Sequence, residues 1–581
     1  MKILTLHCDY IKFKPLKKAI AKPEELKEKG EIHVKEPLVV LTAVEKGDND
    51  KTVAQLIEAI KKTASEVKAK NIVLYPYAHL SSNLADPDTA LEWLVEAEHV
   101  LKREGYAVTR APFGYYKEFE LKVKGHPLSE LSKEFNAEGL AVTPKQLIRK
   151  EEAEKEVAPE ELLRRMSKTK MSFEKGKGNL KSNAEIGREL DLFVASEVVG
   201  SGLPLLTPKG TTIRRELIRF VEDEELKAGY LHTFTPFMAK SDLYKISGHW
   251  QHYKDSMFTL NIGDEEFALR PMTCPFQFII YKSKQRSYKE LPIKYAETSY
   301  LFRQEKSGEL MGLTRLRQFT LSDAHIICKP EQLEEQFEEV LNFVKYMMKT
   351  LKIEDIEYRF SKWDPKNKEK YIDNPKAWEE SQQAMRKILN KLKLKYVEAD
   401  DEAAFYGPKL DLQYKNVFGK EDTLITIQID FALPEKFDMT YIDADNKPKR
   451  PMVIHRSSVG CFERTMAYLL EKTQGALPVW LSPIQARVLS FTDRNIKASE
   501  KVLASLKEAG IRVDSDTRST TVNDKVRDAE MMKIPYIIVI GDKEEKAKTL
   551  AVRQRGENKP KFGVKADKLI AELKEKIERR E

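Results

Sequence analysis

The stretch Thr298–Cys328, TSYLFRQEKSGELMGLTRLRQFTLSDAHIIC, constrains the fold and chemistry of this chain more than any other. Two runs of alternating polar and apolar residues flank a turn at Ser307, Gly308 and Glu309, which predicts an antiparallel hairpin. Arg303, Glu305, Arg315 and Arg317 fall on those runs, and arginines pointing one way would form an electropositive shelf. Such a shelf suits a ligand whose negative charge grows during reaction, such as a nucleotide phosphate. Asp323 and His325 follow two residues apart in a strand-like run and therefore share a face.

The chain has 581 residues, more than one hydrophobic core supports, so about three to four domains are expected. Lys and Arg number 100 against 92 Asp and Glu, a net charge of +8 that permits a nucleic-acid partner without requiring one. Cys8, Cys274, Cys328 and Cys461 are scattered too widely to suggest a disulfide framework. The N-terminus lacks the apolar core of a signal peptide, and no run of about eighteen apolar residues occurs. A cytoplasmic protein without a membrane partner is expected.

Periodicity divides the chain into four parts. Residues 1–141 alternate strands (Lys2–Cys8, Pro37–Val44, Ile72–Tyr77) with helices, one carrying Val53, Leu56, Ile57, Ile60, Ala64 and Val67 on one face, another near Asp88–Arg103. Residues 142–185 pass from the acidic run 151–161 to a basic run 162–181 and read as a linker. Residues 186–478 hold long helices and antiparallel-looking strands, including Thr423–Phe431 and Met452–His455. Residues 479–581 form a small α/β unit that begins after Pro478.

The opening stretch resembles motif 2 of the class II aminoacyl-tRNA synthetases, and its ending FTLSDAHIIC resembles the threonyl-tRNA synthetases. The helix Thr211–Lys227 with the strand leading to Pro236 resembles motif 1, commonly a dimer element, and Gly460-Cys461-Phe462-Glu463-Arg464 entering a helix resembles motif 3. The resemblance implies a multidomain α/β and α+β protein. Its parts would be a deacylase-like editing domain, an antiparallel-sheet catalytic domain and an anticodon-binding domain.

The activity implied is formation of threonyl-adenylate from L-threonine and ATP with Mg²⁺, then transfer to tRNA(Thr). The attacking carboxylate is already an anion, so no general base is needed; the difficulty is joining two anions and stabilising a pentavalent transition state. By resemblance Arg303 bridges the carboxylate and the α-phosphate, Arg315 and Arg464 hold the outer phosphates, Glu305 contacts the adenine amino group and Phe319 stacks on the ring. Cys274, His325 and His455 match the family's zinc ligands, one ion per subunit, although their separations of 51 and 130 residues show nothing by themselves. Zinc with an open position could take the amino and hydroxyl groups of threonine and reject valine. Asp323, Tyr406 and Gln428 would complete the threonine pocket. CPFQ in place of the bacterial CPGH, Leu321 and Thr423 where Gln is common, and Cys461 where Ser is common leave the surroundings of that pocket open.

Serine keeps both coordinating groups, and a missing methyl gives only about 1–3 kcal/mol of discrimination, so a second, hydrolytic site is expected. YPYAHLSS, APFGYYKEFE and KGHPLSEL resemble the archaeal N-terminal editing domain, related to D-aminoacyl-tRNA deacylases. The resemblance points to His79, Tyr116, Lys117 and Glu130, which would position water while the ribose 2′-hydroxyl of the tRNA assists. Glu544 and Arg553 match positions that read anticodon bases. The partners implied are tRNA(Thr), L-threonine, ATP and a second copy of the chain. The alternative is a non-catalytic paralogue that binds tRNA or regulates; loss of a motif arginine or metal ligand would point to it, and none is lost.

Overall fold

The structure, a computed structural model, describes residues 1–20, 23–26, 30–81, 83–126, 128–135, 176 and 178–581. The chain forms two compact units, Met1–Ala158 and Pro159–Glu581. Most of the expected linker, up to residue 175 and at 177, lies outside the described residues.

The first unit contains β1 (Lys2–Lys18), β2 (Ile32–Lys35), β3 (Pro37–Ala43), α1 (Asp50–Glu66), β4 (Asn71–Pro76), α2 (Pro87–Arg103), β5 (Ala107–Arg110), β6 (Tyr115–Val123) and β7 (Glu130–Glu134). The parallel β3–β4–β5 arrangement follows from the helical crossovers α1 and α2, whose apolar faces cover one side of the sheet. β1 pairs with β3 and β7 through its first half and with β2 and β6 through its second. The strand expected to end at Cys8 is therefore longer. Its pairing with β6 shifts register between Cys8 and Tyr10, after which Ile11 and Phe13 again turn inward.

The second unit is built on an eight-stranded sheet. Its order is Leu231–His232, Ile293–Phe302, Gln318–Cys328, Met452–Cys461, Glu421–Asp430, Lys409–Lys415, Glu357–Ser361 and Val397–Ala399. The pairs are antiparallel except the first and the last. Alternation along the central strands separates core from site. Ala324, Ile326, Ile427, Ile429 and Ile454 pack with the helices Pro208–Lys227, Leu333–Thr350, Pro375–Lys391 and Phe462–Thr473, so Asp323, His325, Gln428 and His455 turn to the opposite face. Gly460, at φ 76°, lets the strand pass into the helix Phe462–Thr473; a Cβ there would stand 2.0 Å from the Leu424 carbonyl oxygen.

One expectation is corrected. Ile293–Phe302 and Gln318–Cys328 do form a hairpin, but its ladder ends at Phe302↔Gln318, with one further bond from the Arg303 N–H to the Arg317 carbonyl at 2.9 Å. Arg303, Glu305, Arg315 and Arg317 therefore lie in the connecting loop, not on the strands. Leu313 and Leu316, 0% and 4% exposed, pull that loop inward, and Met311 and Arg315 close a tight bend incompatible with an extended run.

Residues 486–564 supply a five-stranded sheet ordered Val513–Asp516, Ala486–Ser490, Tyr536–Ile540, Leu550–Gln554 and Lys561–Val564; periodicity did not signal the last strand. This unit is clamped to the helix Pro208–Lys227 by Arg580 on Glu224 at 2.8 Å, Arg512 on Glu216 at 3.4 Å, and Trp480 edge-on to Phe220. Among the described residues no helix is long and apolar enough to cross a membrane.

Candidate functional site

A cavity of about 330 Å³ opens on the face of the central sheet opposite the helical core. Arg303, Glu305, Arg315, Phe319 and Arg464, expected around a nucleotide, all line it, as do Asp323, Tyr406, Gln428, Cys274, His325 and His455. Cys274 and His455, 181 positions apart in the chain, are brought together because the helix Cys274–Lys282 packs through Phe278 on the strands bearing His325 and His455. The strand neighbours Gln318–Cys328, Met452–Cys461 and Glu421–Asp430 set His455 opposite both His325 and Gln428.

The cations are fixed by the main chain. The Arg464 guanidinium donates to the carbonyls of Thr314 at 3.0 Å and Thr423 at 2.7 Å, and that of Arg303 donates to the Pro271 carbonyl at 3.3 Å. Among the described residues neither is paired with a carboxylate, so each holds a rigid, unneutralised charge toward the cavity. Arg303 also lies 5.1 Å from the centre of the Phe319 ring. Arg315 is different: it is half exposed, with Glu305 and Glu309 at 3.8 and 3.9 Å. Arg317 does not line the cavity; its guanidinium donates to the carbonyls of Glu305 and Ser201 and braces the loop.

Behind the cations, the Cys274 Sγ and one ring nitrogen each of His325 and His455 lie within 4.8 Å of one another. Phe278 packs edge-on to both rings. The Nδ1 of His325 lies 2.6 Å from the Gln277 Oε1, and the Nε2 of His455 lies 2.8 Å from the Asp430 Oδ2. Each imidazole therefore has one nitrogen tied down and, among the described residues, no hydrogen bond on the other, with the Asp323 carboxylate 3.9 Å from the His325 Nε2. This arrangement is typical of metal-ligating histidines. Burial holds His325 well below its usual value, which favours the neutral, ligating form, and raises the Cys274 thiol well above its own. One sulfur and two nitrogens, nearly dry and open on the cavity side, fit zinc.

The residues expected around the amino acid close the same end. The Tyr406 hydroxyl donates to the Gln428 side-chain oxygen, and its ring stacks on His455 with centroids 5.0 Å apart. Burial pushes the Asp323 carboxyl up to about 6, countered by the Thr273 hydroxyl. Sequence reading missed Gln277, Asp430 and His249. Gln277 was visible only as the departure CPFQ, and Asp430 only as the same-face neighbour of Gln428 in QIDF. His249, buried in the cavity wall with its Nδ1 2.8 Å from the Ser247 hydroxyl, follows a helix-ending glycine.

Of the departures, Leu321 lines the cavity, and Thr423 contributes its carbonyl to Arg464. The Cys461 thiol sits 3.3 Å from the Glu463 carboxylate, which also accepts from the Thr320 N–H and from Arg214.

In the first unit, His79 lies in the turn after β4, its ring 5.5 Å from that of Tyr77. Lys117 donates to the carbonyls of Pro112 and Tyr115 and lies 5.2 Å from the Tyr75 ring centre. Burial lowers its ammonium to about 8, offset in part by Glu24. Tyr75 and Tyr77 thus connect His79 and Lys117 through ring contacts. Tyr116, the residue before Lys117 on β6, faces away and is 56% exposed. Glu130 opens β7 opposite Leu6, and among the described residues no contact joins it to the other three.

In the C-terminal unit the Glu544 carboxylate accepts from the Gly541 N–H and caps its own helix, while Arg553, on the strand Leu550–Gln554, pairs at 3.3 Å with Glu530 of the helix Val522–Met531. No contact joins Glu544 to Arg553 among the described residues.

Three family models match the chain. They are the Archaea-specific editing domain of threonyl-tRNA synthetase over residues 1–135, the tRNA synthetase class II core domain (G, H, P, S and T) over 258–473, and the anticodon binding domain over 482–576. The threonine–tRNA ligase of Clostridium botulinum (strain Eklund 17B / Type B) is 57% identical over 403 residues, which are 68% of this chain and 62% of that one. The chain thus spans less than two thirds of that relative's length. The crystal structure titled as the RNA binding domain of threonyl-tRNA synthetase from Cryptosporidium parvum Iowa II superposes with a TM-score of 0.65 at 32% identity, covering 68% of this chain and 98% of that one. ThrRS-1 of Aeropyrum pernix superposes with a TM-score of 0.62 at 28% identity, covering 69% and 96%. With the motif residues in one cavity, the editing-domain model over residues 1–135 and a relative 32% identical over 68% of this chain and 98% of its own, the chain belongs to the threonyl-tRNA synthetase family.

Proposed function

We propose that the chain activates L-threonine with ATP, transfers it to tRNA(Thr), and hydrolyses mischarged seryl-tRNA(Thr) in its N-terminal unit. The observation that carries this reading is the pairing, in one cavity, of two unneutralised arginines with the Cys274, His325 and His455 triad. The first half of that pairing suits two anions reacting with each other; the second suits a small substrate bearing an amine and a hydroxyl.

In the activation step the threonine carboxylate oxygen forms a bond to the α-phosphorus of ATP, and the bond from that phosphorus to the bridging oxygen breaks, releasing pyrophosphate with its Mg²⁺. Arg303 draws the carboxylate to the α-phosphate and stabilises the pentavalent phosphorus. Arg464 and Arg315 hold the β- and γ-phosphates, Glu305 accepts from the adenine amino group, and Phe319 offers its ring to the base. Because the Arg303 and Arg464 donors are already aimed by carbonyls, little reorganisation accompanies the step. Asp323, Tyr406 and Gln428 receive the amino group and hydroxyl of the substrate. Zinc held by Cys274, His325 and His455 would supply a Lewis-acidic position for those two groups, which valine lacks the hydroxyl to fill.

For the remaining parts, Lys117 and His79 beside the Tyr75–Tyr77 wall are the best-supported editing residues, with Tyr116 and Glu130 assigned by resemblance. Glu544 and Arg553 are assigned to the anticodon. A homodimer is supported by apolar side chains left open beside the Leu231–His232 strand, where Phe234 is 82% and Leu231 57% exposed. A reducing, cytoplasmic location fits four free, buried cysteines.

The test is threonine-dependent ATP–pyrophosphate exchange by the full chain, compared with Arg303→Ala. The expected result is exchange with threonine and a loss of about 10²–10³-fold in kcat in the variant. No exchange with any amino acid, under conditions where the protein binds ATP, would favour a non-catalytic paralogue.

A further inference from the structure

We propose that Gln277 is a positioning residue that decides which nitrogen of His325 faces the metal, and that its own orientation is set by Glu297 through Thr233. The proposal rests on the zinc reading above and deepens it.

Gln277 lies in the helix Cys274–Lys282, three residues after the sulfur ligand, and is fully buried. Its two amide atoms have separate partners: Oε1 lies 2.6 Å from the His325 Nδ1, and Nε2 lies 2.8 Å from the Thr233 hydroxyl. An amide can turn over and exchange these atoms, so something must hold it. The holder is the Thr233 hydroxyl, which has a single proton. That proton is taken up by the Glu297 Oε2 at 3.1 Å, the nearer of two acceptors beside the Ala296 carbonyl at 3.4 Å, and neither of these oxygens can donate. Glu297 is 2% exposed and paired with the buried Arg270 at 2.8 Å, and it also accepts from the Thr235 hydroxyl. The Thr233 oxygen must therefore receive its second bond, and the group able to give one is the Gln277 NH₂.

The consequence runs inward. With its nitrogen committed to Thr233, Gln277 presents only oxygen to the ring. A lone pair on Nδ1 would face that oxygen at 2.6 Å, acceptor against acceptor, so Nδ1 carries the proton and Nε2 keeps a lone pair for the ion. His455 receives the same instruction directly from Asp430. The two histidines are thus oriented by different means: one by a carboxylate in contact, the other by a carboxylate acting through two neutral groups.

The experiment measures zinc affinity of the full chain by chelator competition, with the visible spectrum of the cobalt-substituted protein as a second readout, for wild type, Gln277→Leu, Gln277→Glu and Thr233→Val. Gln277→Leu removes the acceptor at similar volume and should weaken zinc binding about 10–100-fold and alter the cobalt spectrum. Gln277→Glu restores an acceptor for Nδ1–H and should stay within about threefold of wild type. Thr233→Val, which leaves Gln277 in place but frees it to turn, should fall between them. Wild-type affinity in Gln277→Leu and Thr233→Val would overturn the proposal while leaving the zinc reading intact. Equal loss in Gln277→Leu and Gln277→Glu would show packing rather than hydrogen bonding and would also overturn it. Absence of zinc binding by the wild type, with no change on replacing Cys274, would overturn both.

Discussion

The guanidinium of Arg464 donates to the main-chain carbonyl of Thr423 at 2.7 Å, across from its second bond to the Thr314 carbonyl. The arginine is held by backbone, so the identity of the side chain at 423 is nearly irrelevant to its aim. Thr423→Gln should therefore leave pyrophosphate exchange within about threefold of wild type, whereas Arg464→Ala should lower kcat by about 10²–10³-fold. Steady-state kinetics on the two variants separates these outcomes; equal losses would mean that the 423 side chain, not its carbonyl, positions the cation.

Asp430 should matter to metal retention without touching the metal. Its Oδ2 accepts from His455, while its Oδ1 accepts from the N–H groups of Ala432 and Leu433 at 2.9 Å each. Asp430→Ala should weaken zinc binding about 10–100-fold. Bound zinc after dialysis against a graded chelator series is the measurement, and unchanged retention would remove Asp430 from the site.

Lys117 gives the editing unit a pH dependence of definite sign. Burial lowers its ammonium to about 8, so the charged form dominates below that pH and is lost above it. Hydrolysis of seryl-tRNA that needs the ammonium should fall as pH rises through about 8, and Lys117→Arg should keep it at higher pH. Stability runs the other way. The unfolded lysine titrates near 10.4, so between about 8 and 10.4 the unfolded chain binds more protons and the fold gains stability with rising pH. Lys117→Met should abolish both dependences while leaving threonine activation intact. Unchanged seryl-tRNA hydrolysis in that variant would remove Lys117 from the site.

What could be read from sequence followed the length scale of each signal. Asp323 and His325 were placed on one face because strand alternation is a two-residue rule, and both line the cavity. Cys274, His325 and His455 carried no spacing signal, and only the motifs around them pointed to a common site; they meet because the two histidine strands are neighbours and the helix that begins at Cys274 packs on them. The loop bearing Arg303 and Arg315 was misread as strand because its polar–apolar alternation imitates a hairpin, whereas buried Leu313 folds it back. Thr233 and Gln277 stand 44 residues apart and meet only through packing of the edge strand against a helix, which no local pattern encodes. Glu130 rests on its motif alone: β7 gives its main-chain register opposite Leu6, which neither joins it to His79 and Lys117 nor separates it from them.

The most direct measurement of the whole reading is amino-acid-dependent ATP–pyrophosphate exchange by the full-length protein with threonine, serine and valine, before and after zinc removal and readdition. The prediction is strong exchange with threonine, weaker but measurable exchange with serine, almost none with valine, and loss of all three on chelation with recovery on zinc alone. Valine exchange comparable to threonine, or full threonine exchange by a protein stripped of zinc, would contradict the assignment of Cys274, His325 and His455.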